Sequence, residues 1–237
     1  MTSIRHMRRA AICSAALLAC APGLASAQDS YFFAFGGAVL NGDQGASGLI
    51  SPAPATPPGQ NSSVDTDYDT GFQFGLGVGR SFGSLADGVG LRGEIELSYA
   101  DADADTIAFS GNGPANEINV AGGIQSTTLF ANILADFETG GAVTPYVGAG
   151  VGIGRFSQDL FYGGGVQVTD SDTAFGAQLI AGVAFEATET VTITADARYR
   201  RFFDIESNRF LPSGASSGVV SGDFSAFSIN VGARIAF

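Results

Sequence analysis

The chain has no lysine and no tryptophan, a single histidine, His6, and two cysteines, Cys13 and Cys20. Those three residues all fall within the first 27 positions, ahead of the point where a leader would be cut. The remainder holds no thiol for a disulfide or a thiolate metal site. It also holds no imidazole, so a serine or aspartate nucleophile would lack its usual general base at neutral pH, and histidine-dependent catalysis is excluded. After Ala27 no window offers eighteen consecutive apolar residues, which excludes a membrane-spanning helix. The apolar content must therefore be spent on something other than helices.

Charge of one sign is also scarce. Eleven arginines face 23 carboxylates, and removal of Arg5, Arg8 and Arg9 with a leader takes the formal charge from -12 to -15. So acidic a chain repels nucleic acid. Disorder does not explain the acidity, because 34 glycines accompany a positive mean hydropathy of +0.22.

The first 27 residues read as a cleaved signal peptide: Arg5, Arg8 and Arg9, then an apolar run over 10–21, then Ala25-Ser26-Ala27 before Gln28. About twelve apolar residues are too few to cross a ~30 Å hydrocarbon core. Leu17-Leu18-Ala19-Cys20 resembles a lipoprotein box, so lipidation at Cys20 competes with cleavage after Ala27. On the first reading residues 28–237 form one domain.

Within it, period-two segments fall at 30–40, 70–83, 89–100, 125–137, 144–156, 173–187, 190–203 and 224–237. Each is long enough to cross a membrane as a tilted strand. The connections alternate between short (84–88, 138–143, 188–189) and long (41–69, 101–124, 157–172, 204–223). Short periplasmic turns and long external loops have this rhythm, with both chain ends on the periplasmic side. In the third segment Leu91, Gly93, Ile95, Leu97 and Tyr99 share one face, and Arg92, Glu94, Glu96 and Ser98 the other. The seventh sets Val191, Ile193, Ala195, Ala197 and Tyr199 against Thr192, Thr194, Asp196, Arg198 and Arg200. A one-residue slip would push charges into hydrocarbon at roughly 2–4 kcal/mol each.

The predicted fold is all-β: an eight-stranded antiparallel up-and-down transmembrane β-barrel behind a cleaved signal peptide. A soluble barrel with its apolar face inward is the competitor. Aromatic placement separates the two, since Tyr31, Phe33, Phe82, Phe137, Phe185 and Phe237 fall near the periplasmic rim and Phe72, Tyr99, Tyr199 and Phe203 near the outer one. These are expected to form two girdles.

The end of the chain alternates most regularly. Asn230-Val231-Gly232-Ala233-Arg234-Ile235-Ala236-Phe237 resembles the carboxy-terminal signal by which outer-membrane barrels are recognised for assembly, with Asn230, Gly232, Ile235 and Phe237 in the signal positions. The segment from Thr128 to Phe137 and the run Thr144-Pro145-Tyr146-Val147-Gly148-Ala149-Gly150-Val151-Gly152 resemble the fourth and fifth strands of small eight-stranded barrels. These are the opacity-type adhesins and bacterial surface antigens, similar in fold to the transmembrane domain of outer membrane protein A. The resemblance implies residence in the bacterial outer membrane, contact with its lipid and lipopolysaccharide, handling by the barrel-assembly machinery, and loops able to meet a host-surface ligand. A scaffold is shared more securely than a function. The chain stops at the last strand, so cell-wall anchoring is not implied.

The inward faces are expected to gather Arg92, Glu94, Glu96, Asn132, Asp136, Gln178, Glu186, Asp196, Arg198, Arg200 and Arg234. In so narrow a barrel such a network reads as a plug of ion pairs, with Arg234 paired to a carboxylate. A narrow gated channel for small solutes is the alternative, kept open by the inward Gly75, Gly77, Gly148, Gly150 and Gly152. Asp65, Asp67, Asp69, Asp101, Asp103 and Asp105 cluster at the outer mouth, where hard divalent cations are a candidate ligand. The proline-rich stretch 51–59 and the Gly- and Ser-rich long connections read as mobile surface loops. No catalytic centre, cofactor or resident metal is expected. The sequence-level reading is a non-enzymatic surface barrel, structural or adhesin-like.

Overall fold

A computed structural model describes residues 30–49, 62–109, 116–117, 120–162 and 166–237. The leader, including Cys20, and the proline-rich stretch 51–59 lie outside the described residues. Ten strands follow one another: β1 (Ser30–Gly48), β2 (Ser62–Tyr68), β3 (Gly71–Ala86), β4 (Val89–Phe109), β5 (Asn116–Glu117), β6 (Ala121–Phe137), β7 (Val143–Tyr162), β8 (Val166–Glu186), β9 (Val191–Phe210) and β10 (Ser216–Ala236). All pairings are antiparallel, and β10 closes on β1 from Tyr31↔Ala236 to Ser47↔Ser221. Both β2 and β3 lie between β1 and β4, one after the other along the same lane. Among the described residues eight strands therefore surround the axis through the middle of the barrel, with β5 a short appendage on β4.

Three of the four long connections are largely strand. β4 runs on to Phe109, β7 and β8 pair out to Tyr162↔Val166, and β9 and β10 are joined by only 211–215. The expectation of long mobile loops at 101–124, 157–172 and 204–223 is corrected accordingly. Its cause is that these segments keep period two while the two faces exchange polarity. Along β4, Ile95, Leu97 and Tyr99 point outward with Glu94, Glu96 and Ser98 inward; beyond them Asp101, Asp103 and Asp105 take the outward face, and Ala102, Ala104 and, after a register shift at Asp105, Ile107 are buried inside. β7 does the same, with outward Val151 and Ile153 giving way to Ser157 and Asp159 while Phe156 and Leu160 turn inward. The outward face is thus apolar where it meets lipid and acidic where it meets water.

Inside, the extracellular part holds a true apolar core of Val64, Tyr68, Ile107, Ile124, Phe130, Phe156, Leu160, Val168, Phe202, Ile205 and Phe224. Bulges adjust the strands at this change of level. In β1, Leu40 is the extra residue between Val39 and Asn41, and in β9 Phe203 and Asp204 together oppose Asp223. Asp204 takes a φ of 54°, the left-handed conformation that a bulge of this kind requires. Its N–H donates to Asp223 Oδ1 at 3.1 Å, and Arg201 donates to Asp223 Oδ2 through Nε and Nη2 at 3.1 and 2.7 Å. The Arg201 bond holds the Asp223 carboxyl below its ordinary range, with the Asp204 N–H adding to the effect.

The ladder between β8 and β9 is interrupted from Val168↔Arg209 to Gly176↔Phe202. Two carboxylates bridge it. Asp172 Oδ2 accepts the Glu206 N–H at 2.8 Å, and Asp170 Oδ2 accepts the Asn208 N–H at 3.1 Å and its side-chain amide at 2.7 Å.

Candidate functional site

The barrel axis at membrane depth carries the charged side chains of β4, β6, β9 and β10. Glu96 is the hub and is wholly inaccessible to solvent. Its Oε2 accepts Arg198 Nη1 at 2.6 Å and Asn132 Nδ2 at 3.2 Å; its Oε1 accepts Arg200 Nη2 at 2.7 Å. Arg198 turns its other nitrogens on Asp196, at 2.7 and 3.1 Å, and its guanidinium lies 3.8 Å from the centre of the Phe35 ring. Arg200 is held by Gln178 Oε1 at 2.9 Å and Gln73 Oε1 at 3.1 Å. Amide bridges continue the belt from Gln178 to Asn132 at 2.6 Å and from Gln73 to Asn230 at 2.5 Å; Asn230 in turn donates to Asp196 at 3.0 Å.

A second cluster lies towards the periplasmic end. Arg92 donates through Nε to both oxygens of Asp136, at 3.0 and 2.7 Å, and through Nη1 to Glu94 and to the Tyr31 hydroxyl. Tyr31 donates to Glu94 at 2.7 Å; Tyr146 donates to Asp196 at 3.1 Å and has the Arg92 guanidinium over its ring at 4.8 Å, which ties the two clusters together. Four carboxylates and four guanidiniums share the lumen. The charges balance in number at this depth, and for Arg92, Arg198 and Arg200 the ion pairs offset the cost of leaving water.

Two members of the expected set stand apart. Glu186 is exposed at the periplasmic end of β8, because the inward parity of that strand ends at Ala184. Arg234 meets no carboxylate among the described residues; its guanidinium faces the Tyr146 and Tyr31 rings at 4.8 and 5.8 Å. Its expected ion pair is therefore replaced by cation–π contact. Sequence reasoning missed Gln73, Tyr31 and Tyr146. Gln73 was legible as the one polar residue among the inward glycines between Gly71 and Gly79.

The glycine face also needs correction. The expected free space over Gly75 and Gly77 is filled by the rings of Phe35 and Phe33, and that over Gly79 by Tyr31. Leu134, Asn132 and Phe130 fill the space over Gly148, Gly150 and Gly152 in the same way. Small residues on one strand thus admit large ones from the next. Cavities of about 30 Å³ above the Glu96 belt and about 10 Å³ below it remain.

Tyr31 and Phe33, expected in the inner girdle, are buried inside the barrel. The outward rings there are Phe32, Phe82, Phe137, Phe185 and Phe237, with Phe32 and Phe237 stacked at 4.4 Å. The run Tyr31-Phe32-Phe33 is aromatic on both faces, so pattern alone does not assign its parity. Of the assembly-signal residues, Ile235 and Phe237 face outward, and Asn230 and Gly232 face inward. The acidic runs at the outer mouth are spread along the outer wall, and among the described residues no group of three or more metal-ligating side chains converges.

A family model described as the outer membrane protein beta-barrel domain matches residues 11–235. The chain belongs to this family. The protein is accordingly a bacterial outer-membrane β-barrel, of the small-barrel class that the sequence resembled. Among solved structures, the barrel is similar to the outer membrane protein OprG from Pseudomonas aeruginosa, with 17% identity, 89% of this chain and 98% of that chain covered, and a TM-score of 0.52. It also matches Neisserial surface protein A, at 16% identity, 87% and 97% coverage and a TM-score of 0.43. The attachment invasion locus protein Ail of Yersinia pestis matches at 13% identity, 88% and 99% coverage and a TM-score of 0.38. These likenesses concern the fold. A comparison with curated proteins finds no match.

Proposed function

We propose that the protein is a closed, non-enzymatic surface barrel, in which the Glu96-centred network plugs the lumen and the extracellular wall carries the interactions. The occupied lumen supports this most directly: two arginines on one buried carboxylate, aromatic rings in the glycine spaces, and cavities of only about 30 and 10 Å³ beside the Glu96 belt. Eight strands leave an interior just wide enough for side chains to fill. Outside, Asp65, Asp67, Asp103 and Asp105 stand exposed on neighbouring strands and set the sign of the surface. Such a wall attracts cationic ligands and repels sulfated polysaccharides. Contacts with lipopolysaccharide and with the barrel-assembly machinery, the latter through the terminal strand, belong to the same proposal.

Single-channel recording in planar bilayers tests the plug. Silence from protein shown to be inserted is expected, and discrete openings modified by Arg198→Gln would establish a gated channel in its place. The surface role is tested by binding of barrel-displaying cells to extracellular matrix, before and after Asp65, Asp67, Asp103 and Asp105 are changed to Asn. Equal binding by both would remove the acidic wall from the account.

A further inference from the structure

The arginines of the barrel are not spread evenly. Arg92, Arg198, Arg200, Arg209 and Arg234 face inward, and Arg201 is paired with Asp223. Arg80 and Arg155 are left on the outward face, and neither has an ion pair or hydrogen bond among the described residues. An unpaired arginine on the lipid side costs up to about 1 kcal/mol near the interface and more at depth, unless an anion meets it. Arg80 follows Phe72, Phe74, Leu76 and Val78 on the lipid-facing side of β3 and lies two residues from Phe82 of the periplasmic girdle.

Arg80 also borders a groove in the outer wall of about 550 Å³. Its floor is Gly93, directly opposite Arg80 in the ladder, and its sides are Phe82, Ile95, Ile133 and the stacked pair Phe32 and Phe237. The Phe82 ring lies over Gly93, where a Cβ would meet it. This volume is within the range of small-molecule sites, about 300–1,000 Å³. An apolar trough open to hydrocarbon with one cation at its headgroup end has the chemistry of an amphiphile with an anionic head. Guanidinium is suited to a phosphodiester, which it can grip with two parallel hydrogen bonds. A second copy of the barrel fits less well, because a two-fold contact centred on the Arg80 end of the groove would bring two guanidiniums together.

We propose that this groove binds one glycerophospholipid of the periplasmic leaflet, with its phosphodiester on Arg80 and an acyl chain along Gly93 and Ile133. Its place at the periplasmic rim selects leaflet phospholipid over outer-leaflet lipopolysaccharide. Native mass spectrometry of the refolded barrel with added dioleoylphosphatidylglycerol tests it, with dioleoylglycerol as the phosphate-free control. One retained phosphatidylglycerol per wild-type barrel is expected, with no retained dioleoylglycerol. Retention should fall at least tenfold in Arg80→Gln, and also in Gly93→Leu, which fills the trough. Arg155→Gln, at the opposite rim, should retain lipid like wild type. Heat-modifiable gel migration confirms that each variant is folded. Equal retention by wild type and Arg80→Gln, equal loss in Arg80→Gln and Arg155→Gln, or no lipid on folded wild type would each overturn the proposal.

Discussion

The ring of Phe35 lies over Gly75, in the space that a β-carbon there would need. Gly75→Val should therefore force Phe35 or its own strand to shift and lower stability by about 1–3 kcal/mol, as overpacking of a filled core does. Urea unfolding from lipid vesicles measures it. A Gly75→Val barrel as stable as wild type would mean that the ring is free to move aside.

Glu96→Gln should be far more damaging than its isosteric shape suggests. Arg198 would keep Asp196 as its one carboxylate, while Arg200 would be left buried with none, at a cost of about 3–5 kcal/mol. Replacing Glu96, Asp196, Arg198 and Arg200 together by apolar residues of similar size removes two charges of each sign, leaves no partner of these pairs behind, and should recover most of that loss. Urea midpoints of the single and quadruple variants decide it, and a quadruple variant no better than the single would contradict the ion-pair account.

Arg234→Gln is expected to be mild by comparison, losing about 0.5–2 kcal/mol of cation–π contact with Tyr146 and Tyr31. The same urea assay run beside Arg198→Gln compares them. An Arg234 effect equal to that of Arg198 would imply a carboxylate partner in the membrane.

The bulge in β9 supplies a pH-dependent prediction. Asp223 is ionised below its ordinary range because Arg201 and the Asp204 N–H bind the carboxylate. Its contribution is fully present above the ordinary carboxylate range and disappears as pH falls through the lower folded value. Asp223→Asn should flatten that part of the pH–stability curve and leave the neutral region little changed. Asp204→Gly should be neutral or stabilising, whereas Asp204→Val should cost about 1–2 kcal/mol, because only glycine adopts positive φ freely.

Amide hydrogen exchange should expose the seam between β8 and β9. Asp170→Ala and Asp172→Ala remove the acceptors for the Asn208 and Glu206 N–H groups, so those two amides should lose protection while the β9–β10 ladder keeps its own. Unchanged exchange at both positions would show that the carboxylates are incidental.

The membrane part of this fold was legible because lipid imposes a strict rule on one face: Ile95, Leu97, Val231 and Ile235 announce their direction. The registers of β4, β9 and β10 followed from that rule, and so did the placement of Arg92, Glu94, Glu96, Asp196, Arg198 and Arg200 inside. Legibility failed where both faces carry the same chemistry, as at Tyr31 to Phe33, or where the rule reverses. Beyond Tyr99 the alternation continues with water outside, and a reader who equates acid-rich segments with loops loses eight or nine residues from a strand. Arg234 and Glu186 were misjudged for another reason, since parity places a side chain on a face but does not say what stands opposite it.

The reversal along β4 also changes what other cells and molecules can meet above the lipid. A host receptor, an antibody or a phage would find β-sheet, with a seam between β8 and β9, braced from within by Ile107, Phe156 and Ile205, with its carboxylates at fixed spacing. Short peptides copied from 101–109 or 157–162 would carry the letters of that surface without its shape. Antisera raised against the folded barrel should accordingly recognise assembled epitopes and ignore the linear ones.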